Sequence, residues 1–403
     1  MTTPTASTAA TAGQTRNLVL ATLAFAISFW AWNLIAPLGI RYTEQLGLSS
    51  GQKSLLVAIP VLVGALGRIL AGALTDRYGG RLMFPVLLLI SAPCVLFVAF
   101  AGNQGSLGLL MAAGFLLGIA GTTFAVGIPF VNGWYEPSRR GFATGVFGAG
   151  MGGTAVSAFF TPRFVTWFGY TATHVILAVA LVVVAAIVWV LARNAPGWQP
   201  NTQPVVPKLL GAARLVVTWQ MSFLYAVAFG GFVAFSTYLP TYLKDVYEFD
   251  LTGAGTRTAG FAIAAVVARP VGGILSDRVG ARTVSAVSFA GAAVMALVIS
   301  LQPAPELAAG ASFVAMAALL GLGTGAVFAW VSVEAPPERV GAVAGIVGAA
   351  GGLGGFFPPL VMGATYDEAA HSYTIGLLLL CATALAALAY TLLVLGRRKP
   401  LPA

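Results

Sequence analysis

Twelve apolar blocks of roughly twenty residues run along this chain, each separated from the next by a short polar break. Their spans are 17–40, 54–75, 82–101, 107–131, 141–162, 171–192, 215–240, 257–275, 283–301, 309–332, 341–363 and 373–396. Twenty residues of α-helix cover about 30 Å, the thickness of a bilayer's hydrocarbon core. The pattern therefore predicts twelve transmembrane helices and an all-α integral membrane protein. The first block is too long and too aromatic for a cleaved signal peptide, and it lacks a clear small-residue cleavage site. It is expected to remain as the first helix behind a disordered, Thr/Ala-rich tail at residues 1–16, with a second tail at 397–403.

Composition agrees: 58% of the 403 residues are hydrophobic and 8% are charged, against about 25% charged in a soluble domain. A formal charge of +9 points to nucleic acid until the basic residues are placed. Twelve crossings from a cytoplasmic N-terminus put Arg16, Arg77, Arg81, Arg139, Arg140, Arg193, Lys208, Arg214, Arg278, Arg282, Arg339, Arg397, Arg398 and Lys399 on the cytoplasmic side. Only Arg41, Lys53, Arg163, Lys244 and Arg257 fall outside. That is the positive-inside bias, so the excess base reports topology, and no nucleic-acid partner is implied. The expectation is a multi-pass protein of the cytoplasmic membrane, monomeric, with both termini cytoplasmic. Cys94 and Cys381 lie inside apolar blocks and read as packing residues. No disulfide framework, metal or cofactor is expected.

The chain repeats itself. GRILAGALTDRYGGR (67–81) and ARPVGGILSDRVGAR (268–282) share Arg68/Arg269, Gly72/Gly273, Leu74/Leu275, Asp76/Asp277, Arg77/Arg278, Gly79/Gly280 and Arg81/Arg282. RRGFATGVFGAGMGG (139–153) and RVGAVAGIVGAAGGL (339–353) share six positions at nearly the same offset, among them Gly145/Gly345, Gly148/Gly348 and Gly152/Gly352. Two matches at nearly one offset imply a duplicated unit: six-helix bundles at 17–192 and 215–396, joined by a Pro-rich connector at 193–214.

Arg68 and Arg269 are the two basic residues that the loops do not absorb. Arg68 lies eight residues before Asp76, about 12 Å inside the membrane surface. A central arginine costs at least about 2.5 kcal/mol on lenient insertion scales. Three readings compete. Snorkelling barely reaches the interface from this depth. A buried ion pair needs an acid, yet Glu44, Asp76, Glu136, Asp245, Glu248, Asp250, Asp277, Glu306, Glu334, Glu338, Asp367 and Glu368 all fall in loops or at helix ends. The third reading makes the substrate the missing counter-charge: a guanidinium offers planar paired donors suited to a flat oxyanion.

Parallel six-helix halves with GALTDRYGGR and GILSDRVGAR as loops resemble the major facilitator superfamily, in which substrate binds between the halves near the midplane. That resemblance implies that Asp76 and Asp277 latch neighbouring helices, with Arg77, Arg81, Arg278 and Arg282 as basic partners; solvated loop charge is the alternative. Within the superfamily the chain is similar to the nitrate/nitrite porters, which carry one essential arginine in each of the second and eighth helices. The glycine-rich eleventh-helix signature of that family resembles GIVGAAGGLGGFFPP (345–359). Its anion-sandwiching aromatics fall on Phe124, Tyr225 and Phe229, of which the last two share a helix face. Gly145, Gly148, Gly152, Gly348, Gly351, Gly352 and Gly355 would line the pathway; close helix packing is their plainer use. One departure is Met151, which stands about where the family has an asparagine. Thr154 and Ser157 are candidate substitutes, although a bond to their own helix is their more usual role.

The resemblance implies nitrate/nitrite exchange by alternating access. Proton-coupled uptake and transport of another small anion, such as a short carboxylate, are the alternatives. His174 and His371 begin the sixth and twelfth helices, away from the midplane, so no titratable group marks a proton path. A membrane-embedded enzyme would need a cluster of nucleophile, base or metal ligands that these residues do not form. A receptor would leave the duplication unexplained.

Overall fold

A computed structural model describes residues 6–136, 139–201, 204–336 and 339–395. Among them are twelve helices long and apolar enough to cross a membrane. The first half contains α1 (Gly13–Leu46), α2 (Ser50–Tyr78), α3 (Gly80–Asn103), α4 (Leu107–Trp134), α5 (Ala143–Phe168) and α6 (Tyr170–Leu191). The second contains α7 (Val216–Tyr247), α8 (Leu251–Val279), α9 (Ala281–Ser300), α10 (Leu307–Glu334), α11 (Val340–Ala364) and α12 (Thr374–Val394). Several helices outrun their apolar blocks because polar caps satisfy their first N–H groups. Ser49 Oγ accepts from Gln52 N at the start of α2, and Asp250 accepts from Thr252 N and Gly253 N at the start of α8. The repeat reaches even the turns: Gly47 and Glu248, left-handed at φ 61 and 57, end the helical segments that precede these caps.

Helix α1 is interrupted at Pro37, which has no N–H to offer the carbonyl of Asn33. Ser157 Oγ donates to that carbonyl instead, at 3.1 Å, and the chain passes through a 3-10 turn at Ala36–Leu38. The start of α1 corrects an expectation. Residues 6–16, expected to be disordered, are helical from Ala6 onward. Their alanines favour helix, and the segment is tied down where Gln14 Nε2 donates to Trp134 O at 2.7 Å and Asn17 Oδ1 accepts from Arg193 N at 2.8 Å. Residues 1–5 and the tail 397–403 lie outside the described residues.

The connector also contains more order than its prolines suggest. A helix at Val205–Ala213 has its last carbonyls capped by the second half. Arg339 Nη1 donates to Gly211 O (3.2 Å), Thr218 Oγ1 to Ala212 O (2.6 Å) and Trp219 Nε1 to Ala213 O (2.7 Å). The connector's opening stretch is held by the first half, where Arg81 N donates to Asn194 Oδ1 at 3.1 Å.

The halves meet chiefly along α2–α11 and α5–α8, two pairs that the repeat exchanges. At the far end, opposite the connector, polar groups join them. Lys53 Nζ lies 2.6 Å from Asp245 Oδ2, with side-chain exposures of 7% and 14%. Tyr373 donates to the same oxygen, and Tyr238 donates to Tyr373 at 3.2 Å. Burial, with Tyr238 and Asp245 alongside, pushes the Tyr373 phenol far above its ordinary range, so it keeps its proton. Ser54 packs so closely on Gly363 that a Cβ there would lie 1.8 Å from Ser54 Oγ. Toward the connector end the picture reverses: a Cβ at Gly145 or Gly345 would meet nothing within 4 Å. Polar contacts and close packing tie the halves together at the far end, whereas Gly145 and Gly345 have open space beside them.

Candidate functional site

Arg68 projects from α2 into the junction of the halves and is 3% exposed. Its Nη1 donates to Gly348 O of α11 at 3.0 Å, and its Nε to Gly121 O of α4 at 3.4 Å. Both carbonyls are reachable because small residues surround them. A Cβ at Gly352 would press within 3.4 Å of Arg68 Nη1, and Gly118–Thr122 is a 3-10 stretch inside α4, a distortion often found at functional sites. The third nitrogen, Nη2, is buried and has no hydrogen-bond partner among the described residues.

Arg269, from the matching position of α8, is half-buried and is held by side chains. Its Nη2 donates to Tyr225 Oη at 3.4 Å, and its Nη1 meets Met151 Sδ. Met151 lies in the second 3-10 stretch, Ala149–Gly152 of α5.

Between the arginines stand Phe124 and Phe229, with ring centroids 6.4 Å apart and planes 23° from parallel. Arg68 Cζ is 5.1 and 5.5 Å from the two centroids, and Arg269 Cζ is 5.8 and 6.0 Å from them. Tyr225 stacks on Phe229 at 5.1 Å and 4°. The five residues named from sequence therefore gather in one place. Sharing the Phe124 ring puts the two Cζ atoms within about 11 Å of each other, where like charges repel by about 1.5 kcal/mol or more at an effective dielectric of about 20. No carboxylate among the described residues forms an ion pair with either arginine. A flat ion between two rings needs two contacts of about 3.5 Å each, so the ring pair stands slightly closer than a filled sandwich.

The glycines divide into two groups. Gly145 and Gly152 face open space, and Gly148 faces Arg269 Nε, 3.9 Å from where its Cβ would be. Gly348 faces Phe124, while Gly351, Gly352 and Gly355 pack tightly. A Cβ at those three would fall 2.3 Å from the Tyr225 ring, 2.7 Å from Ala65 Cβ and 2.5 Å from Val233 Cγ1. Close packing therefore explains only part of the stripe.

Other expected residues lie elsewhere. Thr154 Oγ1 donates to Met151 O at 2.9 Å and Ser157 to Asn33 O, so neither replaces the missing asparagine. His174 is buried against Tyr170, and His371 is exposed at the far end. The loop acids of the expected latch are partly or fully exposed. Asp76 faces Lys208 of the connector helix at 3.9 Å, both about two-fifths exposed, and Asp277 is exposed. Among the described residues neither pairs with the four loop arginines. Arg77 stands 5.6 Å from the Tyr78 ring centroid, and Arg282 donates to Thr391 O and Leu392 O at the end of α12.

Sequence reasoning missed two neighbours. Gly121 lies three residues before Phe124, but a carbonyl's role has no signature in side-chain letters. Phe328 of α10 stands 5.8 Å from Arg269 Cζ and edge-on to Tyr225 at 4.6 Å; nothing in the sequence separates it from the other 24 phenylalanines.

Comparison with known proteins agrees with this architecture. A family model described as the Major Facilitator Superfamily matches residues 21–359 and 249–403. A "Probable nitrate/nitrite transporter NarK2" of Mycobacterium tuberculosis is 60% identical over 381 residues, covering 94% of this chain and 96% of its own. A "Nitrite extrusion protein" of Bacillus subtilis is 36% identical, covering 92% and 91%. A "Probable nitrate/nitrite antiporter NarK1" of Thermus thermophilus is 37% identical, covering 86% and 84%. Among solved structures, a bacterial homolog of the human lysosomal transporter Spinster superposes with a TM-score of 0.72 at 18% identity, covering 95% and 98%. The chain belongs to the Major Facilitator Superfamily and, within it, to the nitrate/nitrite porters.

Proposed function

We propose that this protein carries nitrate and nitrite across the cytoplasmic membrane, exchanging one for the other at the paired-arginine site. The observation that carries the reading is the buried Nη2 of Arg68, without a partner among the described residues, near a second guanidinium, with neither arginine ion-paired to a described carboxylate. A donor left so is costly, and a flat monovalent oxyanion relieves both that cost and the repulsion between the arginines. The names of the relatives support the same substrates. Phe124, Tyr225 and Phe229 set the slot's flat walls, and the open glycine faces at 145 and 152, with Gly148 beside Arg269, give a small anion its route to the connector end. That end is cytoplasmic, with both termini there, on the positive-inside count. One chain supplies every group of the site, so a monomer suffices.

The cycle follows from charge. Closing the connector side around unbalanced arginines is unfavourable in a low dielectric, and a bound anion offsets part of that repulsion. The halves then rock, breaking the far-end contacts. Exchange is favoured over proton coupling because neither histidine lies at mid-depth. The test is counterflow in proteoliposomes, with nitrite loaded inside, labelled nitrate outside, and a pH gradient imposed or removed. Exchange indifferent to the gradient is expected; strict dependence on it overturns exchange in favour of proton-coupled uptake. Competition by formate or acetate stronger than by nitrite would assign the site to a carboxylate.

A further inference from the structure

The two guanidinium groups have different surroundings, and Arg269 is the less conventionally balanced. Arg68 is bonded to two backbone carbonyls. Arg269 has a thioether, a phenol at the long limit of a hydrogen bond, and three ring faces: Phe124 at 5.8 Å, Phe229 at 6.0 Å and Phe328 at 5.8 Å. An aromatic face carries the negative part of the ring's quadrupole, so it attracts a cation within about 6 Å. The same face repels an anion laid against it. Rings placed beside arginines thus act first on the arginines.

We propose that Phe328 is a positioning residue that holds Arg269 during the unloaded step of the cycle, with the ring faces serving as a replaceable counter-charge. The inference rests on the paired-arginine reading of the site. A carboxylate at this place would compete with the substrate and would be left buried and charged when the anion displaced it. A ring gives up the guanidinium to a stronger acceptor without leaving an unpaired group behind. Phe328 suits the task because it touches Arg269 from the second half's own α10, and its edge-on contact with Tyr225 fixes its plane. Phe124 and Phe229 cannot serve Arg269 alone, since they also face Arg68. Return of the unloaded carrier is then a slow slip beside exchange, which uses only the loaded carrier and depends less on Phe328.

The experiment compares two fluxes of labelled nitrate in proteoliposomes, with the membrane potential clamped at zero. One is uptake into nitrate-free vesicles, which needs the unloaded return; the other is uptake into nitrate-loaded vesicles, which does not. Phe328→Leu is expected to lower the ratio of the first to the second about tenfold, equivalent to about 1.4 kcal/mol. Phe328→Trp, which keeps a π-face, is expected to restore it to within about twofold. Pentafluorophenylalanine at position 328 keeps the ring's shape and inverts its quadrupole, so it should behave like Leu even if the truncation disturbs folding. An unchanged ratio in Phe328→Leu, equal losses in both fluxes, or a pentafluorinated ring that behaves like Phe each overturn the proposal. So does a wild-type protein that exchanges nitrate and shows no uptake into nitrate-free vesicles. If wild type moves no nitrate in either assay, the underlying reading of the site fails instead.

Discussion

The two halves descend from one repeated pattern, yet they build their shares of the site differently. In the first half, α4 and α5 each tighten into 3-10 geometry at the site, over Gly118–Thr122 and Ala149–Gly152. In the second half the counterparts α10 and α11 are α-helical throughout. Arg68 is gripped by carbonyls from both halves and is almost fully buried; Arg269 is half-exposed and touched by side chains that can turn aside. A fixed arginine and a yielding one are what a carrier needs: one pre-organises the ligand's geometry, and the other follows it as the halves rock.

The comparison breaks most readily at the arginines. Arg68→Lys and Arg269→Lys are each expected to cut transport about 100-fold or more, because an ammonium keeps the charge and loses the planar fork. Near-normal uptake by either variant would sink the two-arginine site. Stability should separate them: Arg68→Met removes a buried charge that no described acid balances and should raise unfolding stability. Arg269→Met should change it little, as read by thermal unfolding in detergent.

The far-end contacts give the next effect. Asp245→Asn or Lys53→Met alone strands one partner of a nearly buried pair, at about 3–5 kcal/mol. Labelling of a cysteine placed on the far-end side of the site should then rise. The double variant Lys53→Met/Asp245→Leu should recover much of the stability, since neither charge is stranded. A double variant as unstable as the singles would show that the pair is not what links the halves.

Smaller again is the contrast among glycines. Gly351→Ala, which drives a methyl into the Tyr225 ring, should cost about 1–3 kcal/mol. Gly145→Ala, facing open space, should leave the unfolding midpoint within experimental error. Equal shifts would remove the distinction between packed and pathway glycines.

Much of this molecule was legible in the letters. The twelve helices follow from apolar length, the duplication from two gapless matches, and the site's charge problem from an arginine pair whose acids all lie elsewhere. The helical start at residues 6–16 was not, because its anchors, Trp134 and Arg193, lie more than a hundred residues away. Nor was Lys208 as the partner of Asp76. The arginines of the same loop were the nearer candidates in sequence, but the connector folds back and brings Lys208 closer.

By itself, then, the sequence determined the number of crossings, their two-fold repetition and the depth of two arginines. Each depends on length, order and composition, which the bilayer reads directly. The tertiary structure alone decided which carbonyls grip Arg68, that Arg269 rests among a thioether and three rings, and at which end polar contacts tie the halves together. Those outcomes depend on how each helix is rotated and crossed against its neighbours. Helices that are apolar on every side carry little periodic signal of that rotation.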